Sequence, residues 1–272
     1  MGMYMQVIDW ERFIDPAPGS KPLALSVGVF DGVHRGHQKL IEKVTRYAAE
    51  HEGLGGVITF KQNPRRILHP RHFLGDIYSL PQKLETLESL GLSLVVLIDF
   101  SGNFSKITGI EFVALMGLRR ISYLAVGANF RCGHHLDTDA QAIRDLTARN
   151  GTLTELVDQV REGEAPVSSS RIRQAILAGD MVGAALLLGR PFSVDLTGIQ
   201  PRRDGAVCSW DLSGEGRVLP PNGRYAALVR AAPQAEGRRT DVSVDSGRLF
   251  MREGSPDFLN HNALCVELIG SQ

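Results

Sequence analysis

Apolar runs typical of buried strands alternate with amphipathic helical segments through more than half of this 272-residue chain. The first strong run is Leu23–Phe30 and the last of this series is Thr152–Val160. Parallel strands need a long crossover between them, and a helix is the usual one. The alternation therefore predicts an α/β fold, a Rossmann-like parallel sheet with helices on both faces.

The predicted elements follow the apolar periodicity and the turn residues between them. The predicted strands are Met5–Ile8, Leu23–Phe30, Gly56–Phe60, Leu94–Phe100, Tyr123–Gly127 and Thr152–Val160. The predicted helices are Gly36–Glu50, Pro81–Leu90, Ile110–Leu118 and Asp139–Arg149. Trp10–Ile14 is expected to form a brief turn or helix, and Pro16–Ser20 is expected to break the pattern. Ligands of such sheets bind beyond the carboxyl ends of the strands. The candidate loops are Asp31–His37, Lys61–Arg66, Asp99–Phe104 and Ala128–His135.

Composition narrows the classes of partner. The chain has 30 basic residues (lysine and arginine) and 30 acidic ones (aspartate and glutamate), so its formal net charge is zero. A neutral chain does not favour a nucleic acid or an acidic membrane as partner. The three cysteines are widely spaced and form no Cys-x-x-Cys, which favours a reducing, cytoplasmic location. There is no signal-like N-terminal pattern and no apolar run of bilayer length. No obligate protein partner is indicated, so small-molecule substrates are expected.

The junction between the Leu23–Phe30 strand and the following helix has the features of an anion site. A strand, a glycine loop and a helix start come in series, and a helix start presents unpaired backbone N–H groups and a positive dipole end. His34 and His37 lie three residues apart there, with Gly36 between them. Such a pair can also bind a metal, or simply begin a helix. Phosphate chemistry is our interpretation.

The longer string Gly28-Val-Phe-Asp-Gly-Val-His-Arg-Gly-His37 resembles the signature of the prokaryotic bifunctional riboflavin kinase/FAD synthetase family, within the His-x-Gly-His nucleotidyltransferases. Two further segments support the resemblance. Ser168-Ser-Ser-Arg-Ile-Arg173 is similar to the family's Ser-Ser-Thr-x-Ile-Arg element, with Ser170 in place of threonine, and Leu187-Leu-Gly-Arg-Pro-Phe192 to the phrase that closes its adenylyltransferase domain. Read without the resemblance, the serines are either only helix N-caps or, because Arg171 and Arg173 add charge to the hydroxyls and N-terminal amides, part of a second anion-binding helix start.

Two loop segments carry the resemblance less closely. Gly127-Ala-Asn-Phe-Arg-Cys-Gly133 resembles the family's Gly-x-Asp/Asn-Phe-x-Phe-Gly, where the asparagine either contacts the flavin or only shapes a turn. The cysteine and histidines nearby (Cys132, His134, His135) lack a convincing fourth metal ligand. Thr59-Phe-Lys-Gln-Asn-Pro64 departs from the family's Thr-Phe-x-Pro-His-Pro, because Asn63 replaces a histidine, and Val29 replaces a frequent asparagine.

The resemblance implies an FMN adenylyltransferase, which moves AMP from ATP to FMN and releases pyrophosphate with Mg²⁺. It implies catalytic roles for His34, His37 and Arg171, and flavin contacts for Asn63, Pro64, Asn129 and Phe130. The residues expected to bind ATP are Gly28, Val29, Phe30, Asp31, Gly32, Gly36, Gly127, Ser168, Ser169 and Arg173. Asp31 has the alternative of fixing its loop through backbone N–H groups. Metal ligands are not assigned.

From about Ser193 the pattern changes to short β-like runs, which predict a small, mainly antiparallel β-barrel-like domain. The runs are Ala206–Leu212, Arg224–Val229, Thr240–Val244, Leu249–Arg252 and Leu264–Ile269. In the family this position holds the riboflavin kinase, yet its Gly-x-Pro-Thr-Ala-Asn motif is missing between Ser193 and Leu219. We therefore expect residues 1–188 to form the adenylyltransferase domain and 189–272 a shortened, inactive kinase-like domain.

The sequence is also compatible with two other functions. One is a sister His-x-Gly-His nucleotidyltransferase with another phosphorylated acceptor. The other is a catalytically weak flavin- or nucleotide-binding protein, which Asn63 favours.

Overall fold

A computed structural model describes residues 4–15, 21–100, 104–231, 236–252 and 265–271 of the chain. The chain divides into two compact units. The first unit comprises Met1–Phe73 and Lys83–Pro166, and the second comprises Leu74–Gln82 and Val167–Gln272. The predicted boundary between residues 188 and 189 stays a prediction.

The first unit is built on a fully parallel six-stranded sheet, as predicted. Its strands are β1 (Gln6–Asp9), β2 (Leu23–Val27), β3 (Leu54–Phe60), β4 (Leu94–Ile98), β5 (Ile121–Gly127) and β6 (Leu153–Val157). The helices that follow them are α1 (Trp10–Ile14), α2 (Arg35–Glu50), α3 (Pro64–Leu68), α4 (Leu80–Ser89), α5 (Gly109–Met116) and α6 (Ala140–Ala148).

The strand order β1-β4-β3-β2-β5-β6 places a switch point beside β2. From β2 the chain proceeds to β3 and β4 on one side, and then crosses to β5 and β6 on the other. The loops after β2 and β5 therefore leave neighbouring strands in opposite directions. Ligands of open parallel sheets bind in the crevice that such a divergence creates.

Helices cover both faces of this sheet. On one face, Trp10 and Phe13 of α1 join Phe112 and Met116 of α5 in the main apolar cluster, with Trp10 stacked 5.2 Å from Phe112 between ring centroids. On the other face α2 packs against β2, β3 and β5 through an apolar stripe that includes Val44. The predicted two-sided arrangement is confirmed.

The second unit joins two helices to a seven-stranded antiparallel sheet. The helices are α7 (Ser169–Leu177) and α8 (Met181–Leu188), and the strands are β7 (Phe192–Asp195), β8 (Arg202–Asp204), β9 (Val207–Asp211), β10 (Gly223–Arg230), β11 (Arg238–Asp245), β12 (Arg248–Arg252) and β13 (Cys265–Ser271). The order is β7-β13-β10-β11-β12-β9-β8, so the described residues form an open sheet with β7 and β8 at its edges. The predicted antiparallel β domain is confirmed, and its two edge strands were not predicted.

Several predicted boundaries were wrong in detail. The strand β2 ends at Val27, not at Phe30, because Phe30 adopts a left-handed conformation with φ of 52°. The segment Pro64–Leu68 is a helix within an expected loop, and proline at its first position suits a helix start. The predicted break at Pro16–Ser20 and part of the Asp99–Phe104 loop lie outside the described residues.

Across the described part of the chain, no helix combines the length and the apolar character needed to cross a membrane.

Candidate active site

The loop between β2 and α2 has an unusual backbone. Phe30, Gly32 and Val33 all have positive φ, at 52°, 74° and 38°. Glycine adopts such angles freely, but a β-branched valine does so only against steric strain. Because the side chains of Phe30 and Val33 are fully buried, packing around them compensates for that strain.

Hydrogen bonds hold this loop at several points. The N–H of Val33 donates to the carbonyl of Phe30 at 3.2 Å, which closes a tight turn. The side-chain amide of Gln38, one turn into α2, donates to the carbonyl of Val33 at 2.9 Å. The N–H of Gly28 donates to the carbonyl of Ile58 on β3 at 3.1 Å. The loop is thus bonded both to the helix that follows it and to the neighbouring strand.

The two histidines of the motif lie together at the start of α2. His34 is the N-cap, and its Nδ1 accepts from the backbone N–H of His37 at 3.4 Å. Their rings stack with centroids 3.7 Å apart and planes 15° from parallel, and the Phe30 ring lies 5.0 Å from His37. When His34 is neutral, an accepting Nδ1 leaves its proton on Nε2, which can donate to a ligand. The structure therefore brings both histidines to one helix start.

The neighbouring loop after β5 contains a second predicted group. The N–H of Phe130 donates to the carbonyl of Gly127 at 2.8 Å, so residues 127–130 form a tight turn. Asn129 is exposed at its tip, whereas Phe130 packs against the main apolar cluster. Phe130 thus supports the turn and leaves Asn129 accessible.

Asn63 has a clear structural role after β3. It is the N-cap of α3, and its Oδ1 accepts from the N–H of Arg65 at 3.1 Å. Asparagine is among the best N-cap residues. Its side chain is only 7% exposed, and its amide NH₂ is the part left to donate to a ligand. A contact between Asn63 or Pro64 and a flavin stays a prediction.

In the second unit, the predicted anion-binding residues differ from one another in exposure. Ser168 caps α7 by accepting from the N–H of Arg171 at 3.3 Å. Ser169 and Arg171 are half-buried, but Arg173 is only 5% exposed, and its Nε donates to the carbonyl of Gly75 at 2.7 Å. Arg173 therefore anchors the Leu74–Gln82 segment within this unit, a contact that the motif did not indicate.

The loop that contains Cys132 also holds the two histidines noted in the sequence, His134 and His135. Burial raises the pKa of the Cys132 thiol to about 12. The Nδ1 of His134 lies 3.0 Å from the carbonyl of Ser105. In the ranges that the structure describes, no three histidine, cysteine or acidic side chains cluster to hold a metal ion.

Sequence reasoning missed Lys83, which lies on α4 and is only 8% exposed. Its Nζ donates to the carbonyl of Phe60 at 2.7 Å and to the hydroxyl of Thr59 at 3.4 Å. The signal was present in the helical spacing, because Lys83 precedes the buried Leu87 by four residues and thus shares its face.

Residues 18–171 match the sequence model of the FAD synthetase family, which is more than half of the chain. A bifunctional riboflavin kinase/FMN adenylyltransferase of Bacillus subtilis is 28% identical over 211 residues, covering 74% of this chain and 66% of that protein. The chain thus spans about two thirds of the length of such relatives.

Two other matches extend over most of the chain. An FAD synthetase of Listeria monocytogenes is 27% identical over 236 residues, covering 85% of this chain and 92% of that protein. A crystal structure described as that of a macrolide-efflux protein from Streptococcus pneumoniae superposes with a TM-score of 0.81 and 25% identity, covering 98% of this chain and 91% of that one.

Proposed function

Since this chain belongs to the FAD synthetase family, we propose that it transfers the adenylyl group of ATP to FMN, forming FAD and pyrophosphate, and that it does not phosphorylate riboflavin. Family membership makes the chain a nucleotidyltransferase. The observation that carries the proposal is the pair of stacked histidines at the start of α2, beside the switch point of a parallel sheet.

The chemistry needs no covalent intermediate on the enzyme. An oxygen of the FMN phosphate attacks the α-phosphorus of ATP, a new P–O bond forms, and the bond between that phosphorus and the oxygen that leaves with pyrophosphate breaks. The Nε2 proton of His34 and the backbone N–H groups of the α2 start donate to the phosphoryl oxygens as charge builds on them. Because these donors are already fixed by the loop, little reorganisation is needed.

Mg²⁺ supplies neutralisation of the phosphate charge when it is bound. In nucleotide sites this ion is held by phosphate oxygens, water and one or two carboxylates. The buried carboxylate of Asp31, three residues before His34, fits that donor set and would be the ligand from this chain.

Two observations support the absence of kinase activity. The relative that is named for FAD synthesis alone matches over 92% of its own length, whereas a relative named for both activities matches over 66%. In addition, the stretch from Ser193 to Leu219 lacks the family's Gly-x-Pro-Thr-Ala-Asn motif and forms the strands β7, β8 and β9.

The direct test is chromatography of reactions that contain purified protein, Mg-ATP and either FMN or riboflavin. We expect FAD from FMN and no product from riboflavin. Formation of FMN from riboflavin would overturn the loss of kinase activity. Failure to form FAD from FMN would overturn the proposed transfer and favour a different acceptor or a binding protein.

A further inference from the structure

We propose that Lys83 and Thr59 form a positioning relay that sets the conformation of the histidine loop, an inference that rests on the proposed function. Lysine is almost never buried without a specific partner. Yet Lys83 is 8% exposed, and Thr59 has no exposed surface at all. Thr59 begins the segment that resembles the family's Thr-Phe-x-Pro-His-Pro, and Lys83 lies in none of the segments that carry the resemblance.

The contacts run in one direction from the lysine to the loop. Nζ of Lys83 lies 3.4 Å from Oγ1 of Thr59, and Oγ1 of Thr59 donates to the carbonyl of Val29 at 2.9 Å. An ammonium group has only donors, so the threonine oxygen must accept from it. The single hydroxyl proton of Thr59 is then directed at Val29. Lys83 thus favours the one orientation of the Thr59 hydroxyl in which it donates to Val29.

Val29 immediately precedes the strained part of the loop, which begins with Phe30 at a φ of 52° and includes Val33 at 38°. Strained residues keep such angles only where several contacts impose them. The bond from Thr59 is one of these contacts, because it fixes the carbonyl of the residue before the first strained position. The second bond of Lys83, to Phe60 at 2.7 Å, holds the adjacent end of β3. The relay therefore fixes the backbone conformation of the loop that leads to His34.

The relay predicts a specific pattern of kinetic effects. Thr59→Val keeps the shape of the side chain but removes the hydroxyl, and we expect kcat to fall by about tenfold, the equivalent of one lost hydrogen bond, with KM for ATP changed little. Thr59→Ser keeps the hydroxyl and restores most of kcat. Lys83→Met keeps the length of the side chain, removes the donors and lowers kcat similarly.

The double variant Thr59→Val/Lys83→Met separates a relay from two independent effects. If both residues act through one chain of bonds, the double variant loses no more kcat than the worse single variant. Thr147→Val is the matched control, because Thr147 is also buried and hydrogen-bonded, to Ile143 at 2.8 Å, but is not part of this loop. It should lower the melting temperature and leave kcat unchanged.

Hydrogen exchange of residues 28–34 provides a readout that does not need turnover. Exchange should be faster in Thr59→Val than in Thr59→Ser or Thr147→Val. Wild-type kcat in Thr59→Val, multiplied losses in the double variant, or unchanged exchange would each overturn the relay. If the wild-type protein forms no FAD, but the exchange rates of the variants differ as predicted, the proposed function is refuted instead of the relay.

Discussion

The starts of α2 and α7 were both predicted to bind anions, but the structure builds them differently. At α2 a histidine is the N-cap, its ring stacks on a second histidine, and the loop before it contains two non-glycine residues with positive φ. At α7 a serine in ordinary extended conformation caps the helix. Strain is retained where a protein needs exact placement of reacting groups. On this contrast we expect the α2 start to contribute more to catalysis than the α7 start, where Arg171 is predicted to act on the phosphates of ATP.

Replacement of His37 by alanine should have the largest effect. It removes one ring of the stacked pair and one candidate donor to the α-phosphate, and loss of a preorganised donor typically costs about 100-fold in kcat. His51→Gln is the control, because His51 is exposed at the far end of α2 and stacks on Tyr47. Initial rates of FAD formation should fall in the first variant only. Equal rates in both variants would remove the distinction between the two helix starts.

Alanine variants of Arg171 and Arg173 should differ in effect, the first on ATP binding and the second on the stability of the fold. Arg171→Ala should raise KM for ATP by about tenfold, as expected for a lost charge-assisted contact, without changing the melting temperature. Arg173→Ala leaves the carbonyl of Gly75 without its bond, which should destabilise the protein by about 1–3 kcal/mol. Thermal unfolding and ATP titration of both variants check this. The reverse assignment of effects would show that Arg173, not Arg171, faces the nucleotide.

Gly32→Ala should show whether the strained loop matters beyond stability. Gly32 and Gly151 have nearly the same φ, at 74° and 75°, and a Cβ at Gly151 meets no atom within 4 Å. The positive φ alone should make alanine cost about 1 kcal/mol of stability at either position. Only Gly32→Ala should also reduce kcat, because it changes the backbone of the loop that positions His34. If Gly151→Ala reduced kcat equally, the loss would reflect stability alone.

The smallest expected effect concerns the carboxylate that ties α2 to β6. Burial alone raises the pKa of Glu155, but hydrogen bonds from Lys43 and Tyr123 outweigh it and hold that pKa below its ordinary value. A lowered pKa contributes stability above the unfolded-state pKa, and this contribution is lost as the pH falls through the folded-state pKa. Melting temperatures of Glu155→Gln should thus vary less than those of the wild type between neutral and acid pH. Parallel curves would contradict this.

Much of the first unit was predictable because its signals are local. Buried strands of five to seven residues such as β3 and β4 are continuous apolar runs, and α2 has a clear amphipathic stripe. The start of α2 was predicted within one residue, since a short glycine-containing loop leads directly into its amphipathic pattern.

The rest depended on contacts between segments distant in sequence. Arg173 shares a face of α7 with the buried Ile176, three residues on, but its bond to Gly75, 98 residues away, could not be predicted from that local pattern. The edge strand β8 consists of Arg202–Asp204, three exposed charged residues, and forms because it pairs with β9. Asn63 was predicted to contact the flavin in place of the family's histidine, and its place as an N-cap was visible only after α3 was found.

The most direct test of the proposed single activity uses ATP labelled with phosphorus-32 at either the α- or the γ-position. Each form is incubated with the protein and either FMN or riboflavin. With FMN, phosphorus-32 at the α-position should enter FAD, and phosphorus-32 at the γ-position should appear only in pyrophosphate. With riboflavin, neither label should enter a flavin. Transfer of the γ-label to riboflavin, or failure of the α-label to reach FAD, would contradict the assignment of this chain as a single-activity adenylyltransferase.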